Sequence, residues 1–264
     1  MAISNQTRGR IKKTSEPLAL FLGRLGLTPN GLTLIGFAIT AAGAVLLALE
    51  QWIAGGIVVF VGGAFDMFDG TLARATGRVS RLGAFMDSVF DRWGEALVYV
   101  GLIIGATQAG FDLGAYLAAA AMASAFLVSY SRARAEGLGF TSGTGMAEVG
   151  LMPREIRLLV LTLGLLAAGL AGGVTSVDLF GATTRPGLPN DAAGSLLLAA
   201  TLAVISGLAT ITVIQRIVHT RAQARCSAPP PAGPNTPNGQ PPEDDLPGAG
   251  PIPARSNSTP EHRP

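Results

Sequence analysis

Six long apolar runs, at about residues 31–48, 52–75, 82–109, 113–135, 153–171 and 193–218, alternate with short polar breaks along the chain. A helix needs about 20 mostly apolar residues to cross a bilayer, so each run reads as a spanning helix. Thr28-Pro29-Asn30 punctuates the chain before the first run, where a proline suits the first helical turn. Glu50-Gln51 ends that run, and Trp52, an interfacial type of residue, starts the next. Ahead of the runs, Arg8, Arg10, Lys12 and Lys13 precede Leu18, Leu20, Phe21, Leu22, Leu25 and Leu27, with Arg24 among them. This stretch is too short and too charged to span, and fits an amphipathic helix lying in the interface; a disordered basic arm is the alternative. From about Cys226 the pattern vanishes, and 12 of the 17 prolines lie beyond it. Such a segment buries too little apolar surface to order itself. The pattern therefore predicts an all-α membrane protein, with six transmembrane helices preceded by an interfacial amphipathic helix. Its parts are a basic arm and interfacial helix at 1–28, a six-helix transmembrane domain at 29–222, and a disordered Pro-rich tail at 223–264.

Composition sharpens this picture. Hydrophobic residues make up 48% of the 264, and charged residues only 14%, where a soluble domain carries about 25%. A net charge of +2 gives no reason to expect nucleic acid. The single cysteine, Cys226, excludes a disulfide framework or a cysteine metal site, and the polar, basic N-terminus does not resemble a removable signal peptide. Charge placement orients the bundle. The N-terminal arm, the Arg74/Arg78/Arg81 loop, Arg132, Arg134, Arg154 and Arg157, and Arg216, Arg221 and Arg225 all fall on one side. The opposite loops carry only Arg185. The positive-inside rule puts the basic side, with both termini, in the cytoplasm.

Four carboxylates interrupt the apolar pattern near that side. Asp66 and Asp69 fall late in the second run, and Asp87 and Asp91 early in the third. Residues three and four apart share a helical face, so each pair lines one stripe. A short turn joins the two runs, which predicts antiparallel neighbours with both pairs at one depth. Carboxylates gathered in a poorly hydrated cleft repel each other unless protonated or bridged by cations. All-oxygen donors favour Mg²⁺ or Mn²⁺, which share their shell with substrate phosphates. Gly70, Ala73 and Gly83 leave room for a bulky ligand, Arg74 suits forked phosphate contact, and Ser80 adds a hydroxyl. A helix end simply balanced by Arg74 is the plainer alternative for any single aspartate, and a poor one for all four.

The run FDMFDGTLARATGRVSRLGAFMDSVFD resembles the signature of the CDP-alcohol phosphotransferases, DxxDGxxARx₈GxxxDxxxD, at every fixed position. Thr28-Pro29-Asn30 and Thr33 resemble that family's approach to its first helix. The resemblance implies that Asp66, Asp69, Asp87 and Asp91 hold two Mg²⁺ ions, with Mn²⁺ as a substitute, and that Asp91 is also the general base. It implies that Pro29, Asn30, Thr33, Asp66, Gly70, Ala73, Arg74 and Ser80 hold a CDP-diacylglycerol-type lipid. An acceptor hydroxyl would attack the lipid-side phosphorus and release CMP. It also implies a homodimer among membrane lipids, and a multi-pass enzyme of a bacterial cell membrane.

The acceptor is read from a second basic stretch. Ser131, Arg132, Arg134, Arg154 and Arg157 flank the break between the fourth and fifth runs and suit an anionic headgroup. They also satisfy the positive-inside rule without any ligand. The Arg132–Gly137 run resembles the phosphatidylinositol phosphate synthases and the archaeal-type inositol phosphate enzymes, which implies a phosphorylated polyol such as inositol phosphate. The MPREIR start of the fifth run keeps only part of their pattern. Phosphatidylglycerol phosphate synthase and other CDP-alcohol phosphotransferases are the alternatives within the family, and a membrane cation transporter is the alternative outside it.

Overall fold

The computed structural model describes Phe21, Gly23, Arg24 and residues 26–140, 150–176 and 192–226. These form six long helices: α1 (Pro29–Ala48), α2 (Trp52–Ala75), α3 (Arg81–Gln108), α4 (Asp112–Gly137), α5 (Arg154–Leu170) and α6 (Ala192–Cys226). No strand occurs among the described residues. Local chemistry sets the helix starts. Thr28 caps α1, its hydroxyl accepting from the Gly31 N–H at 3.1 Å, with Pro29 at the first position. Ser80 caps α3 in the same way, accepting from the Gly83 N–H at 2.9 Å. Gly110, at φ 74°, supplies the left-handed residue that closes the turn from α3 to α4.

The helices pack as a closed ring in the order α1, α2, α5, α6, α4, α3. Large apolar side chains point outward from every helix, among them Val45, Phe60, Phe85, Leu127, Leu163 and Ile214. Polar side chains such as Asp69, Arg157, Thr162 and Arg216 are buried instead. That inversion suits a chain surrounded by lipid. Small residues bring the backbones together. A Cβ on Gly101 would strike the Ala44 carbonyl, and one on Gly105 the Leu47 carbonyl, so the Gly101/Gly105 pair marks the contact between α3 and α1.

Four helices are long and apolar enough to cross a membrane: α1, α2, α4 and α6. The other two depart from the sequence pattern for different reasons. α3 has 28 residues but carries Arg81, Asp87, Asp91, Arg92 and Glu95 in its first half. α5 has only 17 residues, with Arg154, Glu155 and Arg157 in its first turns. α6 runs through Cys226, past the expected tail start at residue 223, because Arg, Gln and Ala continue a helix readily. The expected interfacial helix falls on residues of which only Phe21, Gly23, Arg24 and 26–28 are described, and the tail beyond Cys226 lies outside the described residues.

One expectation is corrected. α2 and α3 are not close neighbours along their length. Each packs on α1, and they make little contact with each other. The physical reason is the charge they carry: four carboxylates on facing stripes resist close packing, and α1 offers both helices glycine-lined contacts instead.

Candidate active site

The site is built where α1, α2, α3 and the start of α5 converge. α2 supplies Asp66 and Asp69, one turn apart. Asp69 is buried and accepts from the Thr33 hydroxyl of α1 at 2.5 Å, and from the N–H of Gly70. Thr33 Oγ1 also lies 3.2 Å from the Pro29 carbonyl, but its single proton goes to the nearer carboxylate, which ties the start of α1 to Asp69. Asp66 lies against α1 where Gly36 leaves a gap. A Cβ on Gly36 would come within 2.5 Å of Asp66 Oδ1.

α3 supplies Asp87 and Asp91. Asp87 is half-buried, within electrostatic reach of Asp66, Arg92 and Arg154. Arg154, the first residue of α5, reaches into this group. Its Nη2 donates to Asp66 Oδ2 at 2.7 Å, and its Nη1 stands 2.8 Å from Asp91 Oδ1. One guanidinium thus bridges carboxylates from two helices that barely touch. Arg92 adds a looser pairing to Asp91 Oδ2 at 3.6 Å. Asp91 Oδ1 is nonetheless buried without an aligned hydrogen bond, since Arg154 is near enough for ion pairing but not directed along a lone pair.

Glycine and arginine complete the opposite rim. The Arg74 guanidinium lies across Gly70, where a Cβ would sit 3.3 Å from its Nη1. It is solvent-exposed and makes a long contact of 3.5 Å to the Thr71 hydroxyl. Ala73 is half-buried beside it. At the start of α3, Gly83 has Ser80 Oγ and Asn30 Oδ1 within 3.0 and 3.2 Å of where its Cβ would stand. Pro29, Asn30, Thr33 and Ser80 therefore gather beside the aspartates, as do Gly70 and Arg74.

The acceptor candidates divide. Arg132 is exposed and paired with Glu136 at 2.8 Å, Arg134 is exposed, and Ser131 donates to the Val128 carbonyl at 3.0 Å. Arg157 differs from all of these. Only 2% of it is exposed, its Nε and Nη2 donate to the two oxygens of Glu95 at 2.8 and 2.9 Å, and its Nη1 donates to the Met152 carbonyl at 3.0 Å. Three of its five N–H groups are thus engaged within the protein. Two residues were overlooked from sequence. Glu95 stands four residues after Asp91, on the same stripe, and that spacing was the available signal. Arg216 is buried in α6, donates to the Val128 carbonyl and lies within electrostatic reach of Arg132 and Arg157; an arginine inside an apolar run was its signal.

Among the described residues, no three carboxylate, imidazole or thiol groups are drawn together tightly enough to form a ready metal cage. Arg154 stands where a cation would neutralise Asp66 and Asp91. The donor set still fits a hard divalent ion. It is all oxygen, it is drawn from two helices, and Asp91 Oδ1 is buried with no aligned hydrogen bond. Such an ion commonly completes its shell with substrate phosphates, so a preformed cage is not required.

A family model for CDP-alcohol phosphatidyltransferase matches residues 26–224. An archaetidylinositol phosphate synthase of Pyrococcus horikoshii is 35% identical over 66% of this chain and 88% of its own. A phosphatidylinositol phosphate synthase of Streptomyces avermitilis is 32% identical over 84% of each chain. The crystal structure of Mycobacterium tuberculosis phosphatidylinositol phosphate synthase with CDP-DAG bound is 27% identical. It superposes with a TM-score of 0.62 and covers 79% of this chain and 94% of that one. The same mycobacterial enzyme in complex with manganese and citrate superposes with a TM-score of 0.61, covering 78% of this chain and 88% of that one.

Proposed function

The chain belongs to the CDP-alcohol phosphatidyltransferase family, and from that premise we propose that it transfers a phosphatidyl group from CDP-diacylglycerol to a hydroxyl of an inositol phosphate, releasing CMP. The observation that carries this reading is the placement of Asp66 and Asp91 on a single guanidinium, with Asp69 and Asp87 within electrostatic reach of Asp66, beside the Gly70/Arg74 rim. Two divalent cations, Mg²⁺ by preference, would be held by Asp66, Asp69, Asp87 and Asp91. Bound there, they would neutralise the diphosphate and ease departure of CMP. The remaining work belongs to the side chains. Arg74 and Ser80, with Pro29, Asn30 and Thr33, hold the nucleotide diphosphate. Gly70 and Ala73 leave space for it. Asp91 takes the proton of the acceptor hydroxyl. Ser131, Arg132, Arg134 and Arg154 offer the cationic edge that a phosphorylated acceptor needs.

All six helices span the membrane in this reading. α3 and α5 turn their charged first turns toward the site and their apolar remainders toward neighbouring helices. Both termini and the site then face the cytoplasm, where CMP and a soluble acceptor exchange, while the lipid enters from the side. The enzyme acts as a homodimer, as the family resemblance implies. The deciding experiment supplies detergent-purified protein with CDP-diacylglycerol, Mg²⁺ and either myo-inositol phosphate or glycerol phosphate, and follows CMP release. Turnover with inositol phosphate well above that with glycerol phosphate is expected. The reverse order would reassign the enzyme to glycerol phosphate, and no CMP with any acceptor would sink the transferase reading.

A further inference from the structure

We propose that Glu95 and Arg157 form a positioning pair, which holds Arg154 between Asp66 and Asp91 and so aligns the acceptor side of the site without touching the acceptor. The inference rests on the reading above for what Arg154 does, but its structural basis is separate. Glu95 follows Asp91 by one helical turn on α3, and Arg157 follows Arg154 by one turn on α5. Asp91–Arg154 and Glu95–Arg157 are therefore successive rungs between the same two helices. The second rung is the better made. Arg157 meets Glu95 with two aligned hydrogen bonds, and its third donor secures the Met152 carbonyl, two residues before Arg154. The rung thus fixes the backbone from which Arg154 springs as well as the helix that carries Asp91.

Among the described residues two ion-paired rungs join α3 to α5, and Glu95–Arg157 is the one whose hydrogen bonds are both aligned. Their backbones make almost no close approach. A cavity of about 30 Å³ lies between them, lined in part by Glu95, Tyr99, Arg154, Arg157 and Leu158. That is room for a water or two. Elsewhere α5 is seated by apolar contact with α2, where Gly63 meets Leu158 and Gly56 meets Leu165. Those contacts anchor α5 to the helix of Asp66. The Glu95–Arg157 rung, with its two aligned hydrogen bonds, sets the register of α5 against the helix of Asp91.

Glu95→Gln alone leaves a buried guanidinium without its charge partner and invites unfolding. The informative variant is Glu95→Leu with Arg157→Met, because replacing both partners of a buried pair by apolar groups is commonly neutral for stability or better. Local net charge also stays the same. The double variant is expected to keep its melting temperature in detergent. Its KM for inositol phosphate should rise about tenfold, while its KM for CDP-diacylglycerol stays within about twofold. A double variant with the acceptor KM of the native enzyme, or with both KM values raised alike, would overturn the proposal. A second measurement needs no turnover and so separates this inference from the transferase reading. Mn²⁺ binding followed by electron paramagnetic resonance should tighten about fivefold in the folded double variant, because Arg154 no longer competes for Asp66 and Asp91. Unchanged Mn²⁺ affinity would refute the positioning role even if the protein turned over no substrate at all.

Discussion

Asp91 has one oxygen shared loosely with Arg92 and another that is buried, close to Arg154 and unaligned with it. Asp91 is thus held by ion pairing rather than by aligned hydrogen bonds. Asp91→Asn nearly conserves volume and keeps one carbonyl oxygen while removing the charge. Turnover should fall by about 10³-fold, since a positioned base contributes roughly 10² to 10⁴ in rate. The melting temperature in detergent should hold, and a variant that loses both together would point to a structural role. Arg154→Gln tests the neighbouring group. It removes the cation shared by Asp66 and Asp91 and the nearest cationic contact for an anionic acceptor. The KM for inositol phosphate is expected to rise about tenfold, equivalent to roughly 1.4 kcal/mol, with the KM for CDP-diacylglycerol little changed. Steady-state kinetics with each substrate varied in turn decides the matter. An equal rise in both KM values would move Arg154 to the nucleotide side.

Helix by helix, the hydropathy pattern located all six elements to within a residue or two at most of their ends. Apolar length and polar punctuation are local properties, and Thr28, Pro29 and Ser80 declare their helix starts through their own chemistry. What stayed hidden is non-local. Spacing put Asp66 with Asp69 and Asp87 with Asp91, but it could not show that α1 lies against both α2 and α3. Nor could it show that Arg154 would cross from α5 to hold the two stripes together. The small residues that permit this arrangement offer a direct test. A Cβ at Gly101 would strike the Ala44 carbonyl, part of a helix backbone that has no freedom to move aside. Gly101→Val should therefore cost about 1–3 kcal/mol through overpacking. Gly207 in α6 has nothing within 4 Å of where a Cβ would stand. Gly207→Ala should be neutral or stabilise by up to about 1 kcal/mol through helix propensity. Thermal unfolding in one detergent compares them, and similar midpoints for the two variants would deny that α1 and α3 meet through Gly101.

For the whole molecule, the chemistry and the orientation in the membrane constrain each other. In the proposed reaction a soluble acceptor and soluble CMP would have to reach the aspartates, so the end of the bundle that holds them would face the compartment where both are found. The same end carries Arg74, Arg78, Arg81, Arg132, Arg134, Arg154 and Arg157, the excess expected of a cytoplasmic face. α6 ends on this side with Arg216, Arg221 and Arg225, and its last residue is Cys226, the only cysteine in the chain. The sequence therefore offers a single thiol at the end of α6, and no engineered reporter is needed. A membrane-impermeant maleimide should label Cys226 in inverted vesicles and leave it unlabelled in right-side-out vesicles of the same membranes. Detergent-solubilised protein serves as the control that the thiol reacts at all. Labelling confined to right-side-out vesicles would place the aspartates on the outer face. An enzyme oriented that way would be cut off from cytoplasmic inositol phosphate, so this one measurement tests the topology and the proposed acceptor chemistry together.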